Sequence, residues 1–156
     1  MKSLIRQFLV WLFRDRYLFF SRAKATYGKD NLYTYNNADF LADTLFQRAY
    51  SHVRRLDSSK MTGQGIEWRI HVLCWAASHA THLEGDFVDC GVNTGLCSRA
   101  VMEYVNFKNL KKTYYLLDTF TGMDPKYSSD YEMARHHKIG YGKTINLYEQ
   151  AKQTFS

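Results

Sequence analysis

The residues best suited to chemistry lie in two short stretches. The first is Gly85-Asp86-Phe87-Val88-Asp89-Cys90-Gly91-Val92-Asn93-Thr94-Gly95; the second, about one helix and one strand later, is Leu116-Leu117-Asp118-Thr119-Phe120-Thr121-Gly122-Met123. In each, an apolar strand ends in an acidic residue, the layout of a parallel sheet that presents the carboxyl ends of its strands to a ligand. Gly91 and Gly95 let the backbone turn sharply and approach a ligand with no Cβ in the way. Asp118 is placed to accept hydrogen bonds from two ribose hydroxyls. The spacing Asp89-x-Gly91-x-x-x-Gly95, with no lysine, matches neither G-x-G-x-x-G nor G-x-x-x-x-G-K-[ST], and both of those patterns exist to hold phosphate. It suits a ligand that carries an amino acid and a ribose but no phosphate, and S-adenosylmethionine meets that description.

Other reactive side chains form no second centre. Cys74, Cys90 and Cys97 are odd in number with no C-x-x-C pair, which fits reduced thiols in a cytoplasmic protein, and Cys90 and Cys97 read as small packing residues beside the glycine turn. His79 and His82 stand three apart on a predicted helix without a third ligand. The net charge of +6 sits in residues 1–29, where Lys2, Arg6, Arg14, Arg16, Arg22, Lys24 and Lys29 face only Asp15; the rest of the chain is balanced, which argues against a nucleic-acid footprint.

The segments GDFVDCGVNTG and DTFTGM together resemble the two signatures of the macrocin O-methyltransferase (TylF) family over roughly Met61 to Ser156. That family comprises class I methyltransferases acting on sugar hydroxyls, so the resemblance implies a Rossmann-like α/β core. It makes Asp89, Gly91, Asn93, Gly95, Asp118, Thr119 and Phe120 the S-adenosylmethionine contacts, with Asp89 by the methionyl end and Asp118 on the ribose. Its partner is a small-molecule hydroxyl acceptor, a sugar or sugar-bearing metabolite. The chain departs from the family at Asn93-Thr94, where an aromatic or Arg pair is more usual. The resemblance further implies a divalent metal such as Mg2+ and a carboxylate base from later strands, positions without a counterpart in this chain, so no catalytic residue is assigned. Two other functional readings stand beside this one: an enzyme binding NAD or another nucleotide through the same layout, and a truncated, non-catalytic Rossmann-like interaction protein. A third has Asp89 and Asp118 as strand-end caps in a fold that binds nothing.

Positioning these residues requires three stretches: a basic amphipathic segment (1–29), a helical region (30–83) and the first part of the Rossmann-like domain (84–156). Leu4, Phe8, Trp11 and Leu12 share a helical face, and the apolar run from Phe8 to Phe13 is too short to span a bilayer. Residues 1–20 therefore suit either an anionic lipid surface, making the protein peripheral to a membrane, or packing on the domain or on a second subunit in a homo-oligomer. Lys29 to Asn37 reads as a polar connector. Asn36 or Asn37 should cap a helix burying Phe40, Leu41, Leu45, Phe46, Ala49, Tyr50 and Val53, broken at Asp57-Ser58-Ser59-Lys60. A second helix is expected over Gln64–His82, with Ile66, Ile70, Leu73, Ala77 and Ala80 inward. Strands over Asp86–Cys90 and Thr113–Leu117 should flank a helix from Gly95 through Val105. Thr119 to Lys143, including His136 and His137, reads as a mobile loop over the site, and Thr144 as the cap of a last helix carrying Leu147, Ala151 and Phe155. With only two central strands legible, the chain is expected to be an incomplete fold, prone to aggregation and unable to turn over substrate by itself.

Overall fold

The computed structural model describes residues 4, 5, 7, 8, 11, 25–57, 62–139 and 146–156, with side chains omitted over 135–139. The expected cap Thr144 and the breaking residues Ser58 to Lys60 lie outside the described residues, as do the side chains of His136 and His137. The chain divides into two compact units, Met1–Ala38 and Asp39–Ser156.

In the first unit, Leu4, Ile5, Gln7, Phe8 and Trp11 have helical backbone. The polar stretch expected as a connector is instead an antiparallel hairpin of β1 (Tyr27–Lys29) and β2 (Leu32–Thr34), paired Tyr27↔Thr34 and Lys29↔Leu32. Its two-residue turn, Asp30-Asn31, holds both residues at positive φ (52° and 58°), the backbone that matches the twist of a tight hairpin and that short polar side chains tolerate.

The second unit is a small mixed α/β domain. Helix α1 (Thr44–Leu56) begins later than Asn36-Asn37 suggests, because a 3-10 turn over Asp39–Ala42 precedes it. The cap is Asp43, whose Oδ1 accepts hydrogen bonds from the Leu45 and Phe46 amides (2.8 and 3.4 Å). That later start rotates Leu45 outward and leaves Phe46, Ala49, Tyr50 and Val53 buried. Helix α2 (Glu67–Ala80) buries Ile70, Cys74 and Ala77. Leu73, expected inside, is exposed, because the buried stripe is narrower than the apolar content of the sequence implies. Strand β3 (Phe87–Cys90), helix α3 (Leu96–Tyr104) and strand β4 (Tyr114–Leu117) follow.

Strands β3 and β4 pair in parallel with Phe87↔Tyr114 and Cys90↔Leu117 in register. Their amino ends are closed by Asp86, whose Oδ1 accepts from the Thr113 amide (2.7 Å), and by the Lys112 ammonium, which donates to the Leu83 and Gly85 carbonyls. The inner face, with Phe87 and Tyr114, packs on a core of Phe46, Val53, Ile70, Cys74, Leu96 and Ala100 from the three helices. The outer face is exposed at Val88 (61%), Tyr115 (50%) and Leu117 (54%), and among the described residues no third strand joins this sheet.

The segment after β4 is not a loop throughout. Residues Asp130–Ile139 form helix α4, at whose start the Ser129 amide and hydroxyl both donate to the Glu132 carboxylate (2.8 and 2.7 Å), a capping box that holds Glu132 below the usual carboxylate range. Helix α5 (Leu147–Phe155) is capped by Asn146, whose Oδ1 accepts from the Glu149 amide (3.2 Å), and it buries Leu147, Ala151 and Thr154.

The thiols report on this packing. Cys74 is buried and Cys90 exposed. Burial, with smaller contributions from Cys97 and Asp43, pushes the Cys74 thiol up to about 12, and burial followed by the Asp89 charge raises Cys97. Since the thiolate is the nucleophile, alkylation of the native protein at about pH 8 should map to Cys90, with Cys74 labelled only after unfolding. The unfolded Cys74 thiol ionises from about pH 8.5 upward while the folded one keeps its proton. Native stability, read as a urea midpoint, should therefore fall as pH rises from about 8.5 toward about 12. Equal labelling of Cys74 and Cys90 in the native state would contradict this core.

Candidate functional site

The in-phase parallel pairing of β3 and β4 brings the two sequence stretches to one rim. Gly91 leaves β3 at φ 93° and its amide donates to the Leu117 carbonyl (2.8 Å), continuing the ladder by one bond. Asn93 follows at φ 55°, and Gly95 at φ 80° closes the turn with its amide donating to the Val92 carbonyl (2.9 Å) before α3 begins.

Asp118 organises this rim. Its Oδ2 accepts from the Asn93 amide (2.7 Å), 25 residues away, and its Oδ1 accepts from the Phe120 amide (2.7 Å), which helps hold Phe120 at φ 55°. Each carboxylate oxygen retains a further lone pair. The side-chain Oδ1 of Asn93 is buried with no hydrogen-bond partner, an acceptor in need of a donor.

Asp89 faces the other way, toward the inner side of the sheet. Its Oδ2 accepts from the hydroxyl of Ser98, which is buried in the first turn of α3. Burial raises the Tyr114 phenol beside them; the Asp89 charge adds to that rise and the Ser98 hydrogen bond opposes it.

Three cavities run along the rim and share walls. One of about 370 Å³ is lined by Asp89, Gly91, Asn93, Cys97 and Ser98 among others. An open groove of about 630 Å³ is lined by Gly91, Leu116, Leu117, Asp118, Thr119 and Gly122. A more apolar one of about 430 Å³ is lined by Val92, Leu116, Phe120, Tyr148, Lys152 and Phe155 among others, with Phe120 and Tyr148 ring centroids 5.3 Å apart, edge to face. Gly91 belongs to the first two, Leu116 to the last two and Val92 to the first and third. A larger depression, about 720 Å³, lies away from this rim beside Arg48, Arg99 and Asn106.

The sequence-predicted residues are thus brought together, with two different roles for the glycines. Nothing lies within 4 Å of where a Cβ on Gly91 would stand, so its backbone faces open space. A Cβ on Gly95 would meet the Phe155 ring at 2.5 Å, so the room there is filled by the last helix. Thr154 adds a second tie, its hydroxyl donating to the Thr94 carbonyl (2.8 Å). Ser98, Tyr148 and Phe155 were not legible as site residues: Ser98 stands nine after Asp89, where the first helical turn comes back to the strand end, but nothing in sequence marks Tyr148 or Phe155. The Nδ1 of His79 lies 2.8 Å from the Trp75 carbonyl within α2. Among the described residues no group of three or more His, Cys, Asp or Glu is arranged to hold a metal ion, so the divalent metal implied by the family resemblance has no ligand set there.

Comparison with protein-family models, with curated proteins and with solved structures found no match.

The unequal surroundings of the glycines give a direct check. An alanine at either position takes on left-handed backbone strain of roughly 1 kcal/mol. At Gly95 it must also displace the Phe155 ring, so Gly95→Ala should lower the urea midpoint more than Gly91→Ala. In the background of Phe155→Ala the two losses should converge. A difference that persists there would show that Phe155 is not what constrains Gly95.

Proposed function

We propose that this chain is an S-adenosylmethionine-dependent O-methyltransferase with a Rossmann-like cofactor domain, acting on a hydroxyl of a sugar or sugar-bearing metabolite in the cytoplasm. The observation that carries the reading is the meeting of three adjoining cavities at one strand-end rim, which together offer a place for each part of the cofactor. The methionyl group would lie at the Asp89–Gly91–Asn93 cavity, where the unpaired Asn93 Oδ1 would accept from its ammonium. The ribose diol would use the remaining lone pairs of Asp118 above the open backbone of Gly91. The adenine would enter the apolar groove beside Phe120 and Tyr148, with Thr119 in the wall of the adjoining open groove. The cofactor supplies an electrophilic methyl group; the chain's contribution is alignment of donor and acceptor, since displacement at that carbon needs the two in line. The acceptor class and the TylF-type assignment rest on the two sequence signatures and on no feature of the rim.

A second reading is favoured by the same carboxylate: Asp118 already accepts two backbone amides and would serve as a clamp between loops in a protein that binds nothing. Calorimetry separates the two. S-adenosylmethionine or its demethylated product should bind, NAD should not, and Asp118→Asn should weaken binding at least tenfold through loss of charge-assisted hydrogen bonds, about 1.5–3 kcal/mol. Asn93→Ala should weaken it less, while lowering the thermal midpoint by a few degrees because alanine tolerates the positive φ there less well than asparagine. If the parent protein takes up no S-adenosylmethionine and Asp118→Asn changes stability alone, the clamp is the whole role of the residue.

A further inference from the structure

We propose that the amino-terminal segment docks on an anionic lipid surface, independently of the cofactor reading above. Leu4, Ile5, Phe8 and Trp11 have helical backbone and are 70%, 56%, 57% and 62% exposed, with the Phe8 and Trp11 rings 6.1 Å apart. Four large apolar side chains in water within three helical turns need a low-dielectric partner.

Charge selects which partner. Residues 1–29 carry seven Lys and Arg against Asp15, the whole of the net charge of +6, while residues 30–156 hold equal numbers of basic and acidic groups. A domain with balanced charge exerts no net attraction on such a segment, and a second copy of it repels. An anionic bilayer attracts it, each basic residue strengthening binding about fivefold. The basic residues also bracket the apolar ones: Lys2 and Arg6 lie around Leu4 and Ile5, Arg14 and Arg16 divide the run ending at Phe13 from Leu18-Phe19-Phe20, and Arg22 and Lys24 follow. This is the composition of a helix lying in the interfacial plane, with a tryptophan suited to headgroup depth. It does not favour a span: the unbroken apolar run from Phe8 to Phe13 has six residues, and no helix among the described residues is long and apolar enough to cross a membrane.

The test is co-sedimentation of the full chain with vesicles of phosphatidylcholine containing about 30% phosphatidylglycerol, against pure phosphatidylcholine. The protein should pellet with the anionic vesicles, and NaCl at about 0.5 M, where the Debye length is about 4 Å, should release most of it. Arg6→Glu/Arg14→Glu should weaken binding at least about twentyfold. Phe8→Ser/Trp11→Ser should abolish it with the circular dichroism spectrum unchanged, since both side chains are exposed. Absence of pelleting at low salt, or pelleting indifferent to Arg6→Glu/Arg14→Glu, overturns the proposal. So does a dimer that Phe8→Ser/Trp11→Ser dissolves in a protein that ignores both vesicles, an outcome that assigns the face to a second copy.

Discussion

The Asp118 carboxylate is the constraint on which the rim of this domain depends. Two loops leave the sheet with non-glycine residues at positive φ, Asn93 and Phe120, each a conformation that is unfavourable by itself. One carboxylate accepts an amide from each. Both hydrogen bonds are charge-assisted and the one from Asn93 spans 25 residues, so the β3–α3 turn and the turn after β4 are set relative to one another rather than separately. Gly91, in the wall of two of the cavities, lies between the loops that this tie joins.

The elements with a strong local signal were legible in the sequence. Strands β3 and β4 announce themselves as short apolar runs between polar turns, and α3 by Leu96 and Ala100 at helical spacing after a glycine. What sequence could not supply was competition between neighbouring signals. Asp43 outcompetes Asn36 and Asn37 as a cap because its carboxylate reaches two amides while a 3-10 turn fills the gap, and that shift decides which of Leu45 and Phe46 is inside. The Asp30-Asn31 turn lies in a polar stretch with the composition of a connector, although both residues tolerate the left-handed backbone a tight hairpin requires. In the segment after Asp118, proline and polar residues suggested a loop, yet the Ser129–Glu132 pair nucleates a helix there.

The candidate site was legible for a different reason. Residues that recognise a ligand through backbone geometry leave glycine and carboxylate at fixed offsets, and Asp89, Gly91, Gly95 and Asp118 could be named on that basis. The direction each faces could not. Asp89 turns inward to Ser98 because the alternation along β3 puts Phe87 and Asp89 on the side of α3, and Gly95 is opposed by an aromatic ring 60 residues away in sequence.

Thr154 and Phe155 couple the last helix to the glycine turn. Residues that open together exchange their amide hydrogens together. Fraying of α5 would therefore loosen the turn at Thr94 and Gly95 with no residue of the rim altered, and any occupant that orders the turn would slow exchange along α5. The stability of the turn thereby depends on a helix far from it in sequence, while the parallel strands set the shape of the rim.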